Sequence, residues 1–176
     1  MDNEAKAYTE EEIGPVSALE RAGVGFIRIT HEPAKTMELC RGIGAEHGAR
    51  HCKNLFLTNK RGTRYFLLLM DPDKPYRTSE VSKKLGSSRL SFAGEEALSD
   101  VLGLHGGAVS IMGLTNPCAR EAYESGLLRI AVDSDLMKWE RICVHPNTET
   151  ATLIIGTREL FRFITESGYE YTSVDI

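Results

Sequence analysis

Three short stretches of this 176-residue chain place polar, chemistry-bearing residues beside apolar runs. Lys53-Asn54 opens one such run. Gly106-Gly107-Ala108-Val109-Ser110 is a glycine turn leading into a short apolar segment. His145-Pro146-Asn147-Thr148 follows another run and must be loop, because Pro146 has no N–H for a ladder. Polar loop residues at strand ends are where sites are commonly built. An amine, a turn glycine and an imidazole nevertheless name no reaction by themselves, since each also occurs as plain structure.

Other chemistries find less support. His47 and His51 are spaced i, i+4 beside Cys52, which suits metal ligands on one helix face. Gly48 lies between them, however, and neither Cys-x-x-Cys nor His-Glu-x-x-His is present, so no metal is expected. Cys52 adjoins Lys53, and a nearby cation lowers a thiol pKa. Strand neighbours point to opposite faces, so Cys52 reads as inward packing. No Gly-x-Ser-x-Gly elbow, phosphate-binding Walker loop or dinucleotide fingerprint occurs. Cys40, Cys52, Cys118 and Cys143 have long, irregular spacings and read as free thiols.

Charge is unevenly placed. The chain carries a net −4, yet the window Arg50–Arg89 holds ten Lys and Arg against three acids, leaving the remainder strongly acidic. Such asymmetry is the footprint of a local anionic partner on an acidic body. With 41% hydrophobic and 26% charged residues the composition is that of a globular chain. No apolar run approaches the ~20 residues of a spanning helix. Met1–Lys6 lacks the basic start and apolar run of a signal peptide, so the expected location is the cytoplasm.

The elements that must position these residues follow from pattern. Thr9-Glu10-Glu11-Glu12 fits a capping box for a helix ending near Gly23. Strands are expected over 25–30, 53–58, 64–70, 127–132, 141–144 and 151–155, with a short one over 109–111. Asn59-Lys60-Arg61-Gly62 turns the second strand into the third as a hairpin. Thr36, Ser79 and Thr157 are expected to cap helices ending near Ile43, Gly86 and Gly168, and Glu95–Leu102 is a further helix closed by Gly103. Interleaved strands and helices with a hairpin predict one α/β (α+β) domain over residues 1–176, on a mixed sheet.

Read together, these stretches resemble the YbaK/prolyl-tRNA-synthetase-associated editing domain family, in its free-standing PrdX/ProX branch. The matching segments are His31-Glu32-Pro33-Ala34-Lys35-Thr36, Cys52-Lys53-Asn54-Leu55-Phe56-Leu57 and Tyr65-Phe66-Leu67-Leu68-Leu69. They continue with Leu85 to Ala93, Leu102-Gly103, Gly107-Ala108-Val109-Ser110, His145-Pro146-Asn147 and Thr150-Ala151-Thr152. Their order and spacing, from about residue 10 to 170, carry the likeness. The resemblance implies a mixed, partly closed sheet with surrounding helices. It also implies hydrolysis of the ester in mischarged alanyl-tRNA(Pro). On that reading Lys53, Gly107 and His145 are catalytic, and Asn54, Ser110 and Asn147 bind substrate. No metal or cofactor is implied. The partners are the aminoacylated 3′ end of tRNA(Pro) and, as a further candidate, prolyl-tRNA synthetase. Ile111 and Glu149 depart from the family's usual proline and asparagine. Cysteinyl or seryl esters, or a non-hydrolytic tRNA- or nucleotide-binding module of the same fold, stand as alternatives.

Overall fold

The computed structural model describes residues 7–34 and 36–176. The N-terminal stretch 1–6 and Lys35 of the first matching segment lie outside the described residues. Helix α1 (Glu10–Arg21) begins where Thr9 and Glu12 form the expected capping box, Glu12 Oε2 accepting from the Thr9 amide at 2.7 Å. Strand β1 (Phe26–Thr30) follows, and Arg28 on it donates to both Glu12 oxygens, at 2.7 and 2.8 Å. That pair fixes α1 against β1.

Two mixed sheets form the body. The strands are β2 (Ala49–His51), β3 (Lys53–Thr58), β4 (Tyr65–Met70), β5 (Ser91–Phe92), β6 (Leu128–Asp133), β7 (Arg141–Val144), β8 (Ala151–Gly156) and β9 (Thr172–Val174). One sheet has the order β1-β8-β7-β2 and the other β5-β3-β4-β6-β9. The β3–β4 hairpin is the one expected. Its turn is closed by Asn59 Oδ1, which accepts from the Thr63 and Arg64 amides. The unbroken apolar run of β4 has a simple cause: both faces are covered. Leu67 and Leu69 face the main core, whereas Phe66, Leu68 and Met70 face a second one with Val81 and Leu90. The four-stranded sheet adds Ile142, Val144, Leu153 and Ile155 to the main core, so the two sheets share it.

Helices α2 (Met37–Gly42), α3 (Thr78–Lys84), α4 (Glu95–Leu102), α5 (Pro117–Glu124) and α6 (Thr157–Glu166) surround the sheets. Among the described residues no helix is long and apolar enough to cross a membrane. Thr36 caps α2 as expected, accepting from the Leu39 amide. Two caps differ. Arg77 precedes α3, and Thr157 is the first residue of α6 after Gly156, its amide donating to the Glu140 carbonyl. The expected strand over 109–111 is not formed. Ser110 Oγ accepts from the Met112 amide and starts a 3-10 turn over Ile111–Thr115, which buries the same apolar residues in a tighter coil. The short strands β2, β5 and β9 and helix α5, with Pro117 in its first turn, add to the expected elements.

The basic window is partly consumed by structure. Lys74 reaches the fully buried Asp133 and also Asp135, each at 2.7 Å. Arg50 meets Asp71 and Asp73 and stacks on Trp139, with its guanidinium 4.1 Å from the ring centroid. Arg77 pairs with Glu80. Lys53, Lys60, Arg61, Arg64 and Arg89 form no ion pair among the described residues.

Candidate active site

The chain leaves one sheet at His51 and enters the other at Lys53, so Cys52 alone links β2 to β3. A cavity of about 220 Å³ opens at this seam. His51, Cys52, Lys53 and Asn54 supply one side. Gly107 and Val109 of the glycine turn and His145 at the end of β7 supply another, and Ala34, Met37 and Cys40 an apolar wall. Four residues singled out from sequence, Lys53, Asn54, Gly107 and His145, are thus brought together from segments up to 92 positions apart. A larger cavity, about 450 Å³, lies by α1 and α5 and contains none of them.

His145 is held by an identifiable contact. His145 Nδ1 lies 3.1 Å from the Ala151 carbonyl. A carbonyl only accepts, so Nδ1 carries the proton and Nε2 keeps its lone pair. Burial, opposed by that hydrogen bond, holds the His145 pKa below its ordinary value, and the ring is neutral at pH 7. Burial and then the neighbouring His145 push His51 down to about 4. The rings of His51 and His145 are 5.9 Å apart, and that of His31 stands 6.4 Å from His145. Cys52 is buried, which pushes its thiol up to about 12, so it is packing as expected and not an activated nucleophile.

Gly107 has φ +90, a conformation that suits glycine. A Cβ there would stand 2.3 Å from Glu149 Oε2, so the glutamate that departs from the family pattern lies against this turn. Glu95, in the first turn of α4, accepts from the Gly106 amide with both oxygens, at 2.9 and 3.1 Å. It anchors the turn, a role that sequence reading missed. A carboxylate at a helix start has the ordinary explanation of complementing the helix dipole, and nothing local links it to a turn eleven residues on.

Ser110 and Asn147 stand apart from the cavity. Ser110 is fully buried and spent on its turn. Asn147 is buried with φ 62, the one non-glycine residue with positive φ among the described residues. Its Nδ2 donates to Asn116 Oδ1 at 3.3 Å, and Asn116 in turn donates to the Leu102 carbonyl. These contacts tie the His145 loop to the start of α5.

Residues 31–163 match the family model described as the aminoacyl-tRNA editing domain. The chain is 28% identical to the prolyl-tRNA editing protein ProX of Acetoanaerobium sticklandii, over the full length of both. It is 32% identical to the prolyl-tRNA synthetase associated domain-containing protein 1 of Danio rerio, over 86% of this chain and 79% of that one. A solved structure described as a candidate trans-editing enzyme for prolyl-tRNA synthetase superposes with a TM-score of 0.70, covering 97% of this chain and 99% of that chain at 16% identity. At that identity the likeness concerns the fold.

Proposed function

We infer that this chain, which belongs to the aminoacyl-tRNA editing domain family, hydrolyses mischarged alanyl-tRNA(Pro) in trans, in the cytoplasm, releasing alanine and tRNA(Pro). The observation that carries the reading is the convergence of Lys53, Asn54, Gly107 and His145 on one small cavity. Its ~220 Å³ is below the ~300–1,000 Å³ of sites that enclose a drug-sized ligand. It therefore suits the aminoacyl ester and adjoining ribose, with the rest of the RNA end lying outside.

In this reading Lys53 holds the terminal phosphate or the developing oxyanion. Asn54 orients the ester. The Gly107 backbone lies against the scissile group, where a side chain would intrude. Neutral His145 accepts a hydrogen bond from the attacking water through Nε2. Water adds to the ester carbon, the bond to the ribose oxygen breaks, and that oxygen leaves with a proton. An aminoacyl ester is already activated, so positioning and charge stabilisation suffice without a covalent nucleophile. Ser110 and Asn147 act by fixing the two loops. Ala34, Met37, Cys40 and Val109 form the wall that admits alanine and excludes proline.

Such a sieve answers a limit of binding. A proline pocket discriminates against a smaller side chain by only ~1–3 kcal/mol per missing methylene, so a second pocket that rejects by size is needed. The partners of the activity are the tRNA(Pro) 3′ end and, in a proofreading assembly, prolyl-tRNA synthetase.

Single-turnover assays with alanyl-, prolyl-, cysteinyl- and seryl-tRNA(Pro) test the reading. Fast loss of alanine with proline spared is expected. Loss of cysteine or serine alone moves the specificity to that ester. No loss of any ester from folded protein overturns the enzyme and leaves a binding module. Gly107→Ala adds a second check. The new methyl would press on Glu149 Oε2, and the positive φ cannot be relieved. The variant should lose roughly 1–2 kcal/mol of stability in thermal melts and most of its deacylation, read in the same assay.

A further inference from the structure

Beside the groups assigned to ester hydrolysis, the cavity wall carries a second constellation. Cys40 of α2, His51 of β2 and His145 of β7's end each offer one donor atom, and the three atoms lie within 4.8 Å of one another. In a tetrahedral zinc site, bond lengths of about 2.0–2.3 Å place donor atoms about 3.3–3.6 Å apart. Closing the gap takes roughly 1 Å of side-chain movement.

The individual atoms are suited to ligation. His51 Nε2 is buried without a hydrogen-bond partner, an arrangement that costs free energy unless something fills it. His145 Nδ1 is engaged by the Ala151 carbonyl, which orients the ring and leaves Nε2 for an ion, as outer hydrogen bonds do around bound metals. Cys40 Sγ donates a hydrogen bond to the Ala34 carbonyl at 3.5 Å, which a bound metal would replace. A thiol with two imidazoles is a ligand set for borderline-soft divalent ions rather than for magnesium or calcium.

We propose that Cys40, His51 and His145 form a three-ligand site for a thiophilic divalent cation of the zinc class, and that its occupation closes the cavity to the aminoacyl end. On binding, the Cys40 S–H bond breaks, the thiolate forms the bond to the metal, and the proton leaves to bulk water. Three protein ligands leave a fourth position facing the cavity, the arrangement of an exchangeable site and not of a sealed structural one. The ion sits where His145 would otherwise meet water and substrate. The second half of the proposal rests on the deacylase reading above; the first half does not.

The test titrates chelator-treated, full-length protein with cobalt(II) as an optical stand-in for zinc. One equivalent should bind with a thiolate-to-cobalt charge-transfer band, and added zinc should abolish it. Cys40→Ser should remove the band. His51→Gln should weaken binding by at least ~10-fold. Should Cys40→Ser fail to fold, alkylation of wild-type Cys40, mapped by peptide mass, replaces it, with zinc expected to slow labelling at least tenfold. Absence of the thiolate band, or binding unchanged by both substitutions, overturns the site. One equivalent of zinc should also lower alanyl-tRNA(Pro) deacylation reversibly, and a rate unchanged at full occupancy overturns the closing effect. No hydrolysis even in chelator, with the cobalt band intact, removes the deacylase reading and leaves the metal site standing.

Discussion

Lys53→Ala should slow single-turnover deacylation of alanyl-tRNA(Pro) by about 10²–10³-fold, the usual loss when one preorganised charge or donor facing a developing oxyanion is removed. The same substitution should leave Tm within about 2 °C. Lys53 is half-buried at the mouth of the seam and forms no ion pair among the described residues, and changes of that kind cost within about 0.5 kcal/mol. The contrast between lost rate and kept stability makes the experiment informative. Lys53→Arg keeps the charge but replaces a compact ammonium with a planar fork, so only partial recovery is expected. Wild-type rates in Lys53→Ala would remove this residue from the reaction.

The second large effect concerns stability. Glu12→Ala should lower Tm by about 10 °C in a thermal melt. Glu12 is fully buried, and the Arg28 side chain is only 13% exposed. Removing one member of such a buried pair costs roughly 3–5 kcal/mol, and for a chain of this size each kcal/mol shifts Tm by roughly 2–4 °C. The change also removes the partner of the Thr9 amide.

The pH dependence identifies the cause. Burial works to raise the Glu12 pKa, but hydrogen bonds from Arg28 and the Thr9 amide outweigh it, and the net shift is downward from 4.5. A depressed folded-state pKa means the contribution is fully present above about 4.5 and is lost as pH falls through the lower folded value. Stability of the wild type should therefore drop faster on acidification than that of Glu12→Ala, and parallel curves would sink the attribution.

What could be read from the sequence divides by range. The capping box of α1 and the β3–β4 hairpin are local, fixed by residues within a few positions of each other, and both stand where pattern places them. The division into two sheets was not legible, because β2 and β9 are three residues each and pair in parallel with distant strands. Ser110 shows a different limit: an apolar segment satisfies burial equally as strand or as 3-10 turn, and a hydroxyl bonding two residues on decides between them. Lys53, Gly107 and His145 were named from sequence. Their meeting at one cavity depends on the single-residue step at Cys52 from sheet to sheet, which no local pattern encodes. The Cys40, His51 and His145 cluster was hidden for the same reason, each ligand coming from a separate element. The basic window was legible as charge, but not that Arg50, Lys74 and Arg77 would be spent on Asp71, Asp73, Asp133, Asp135 and Glu80.

Trp139 is the chain's single tryptophan, and its ring meets the guanidinium of Arg50, the residue just before His51 in β2. A cation on the face of an indole perturbs its excited state, so the tryptophan emission of this protein, excited beyond the tyrosine absorption, comes from one indole tuned by one strand of the seam. Intrinsic fluorescence thereby becomes a label-free optical report on β2, collected without a dye, a radiolabel or a charged RNA.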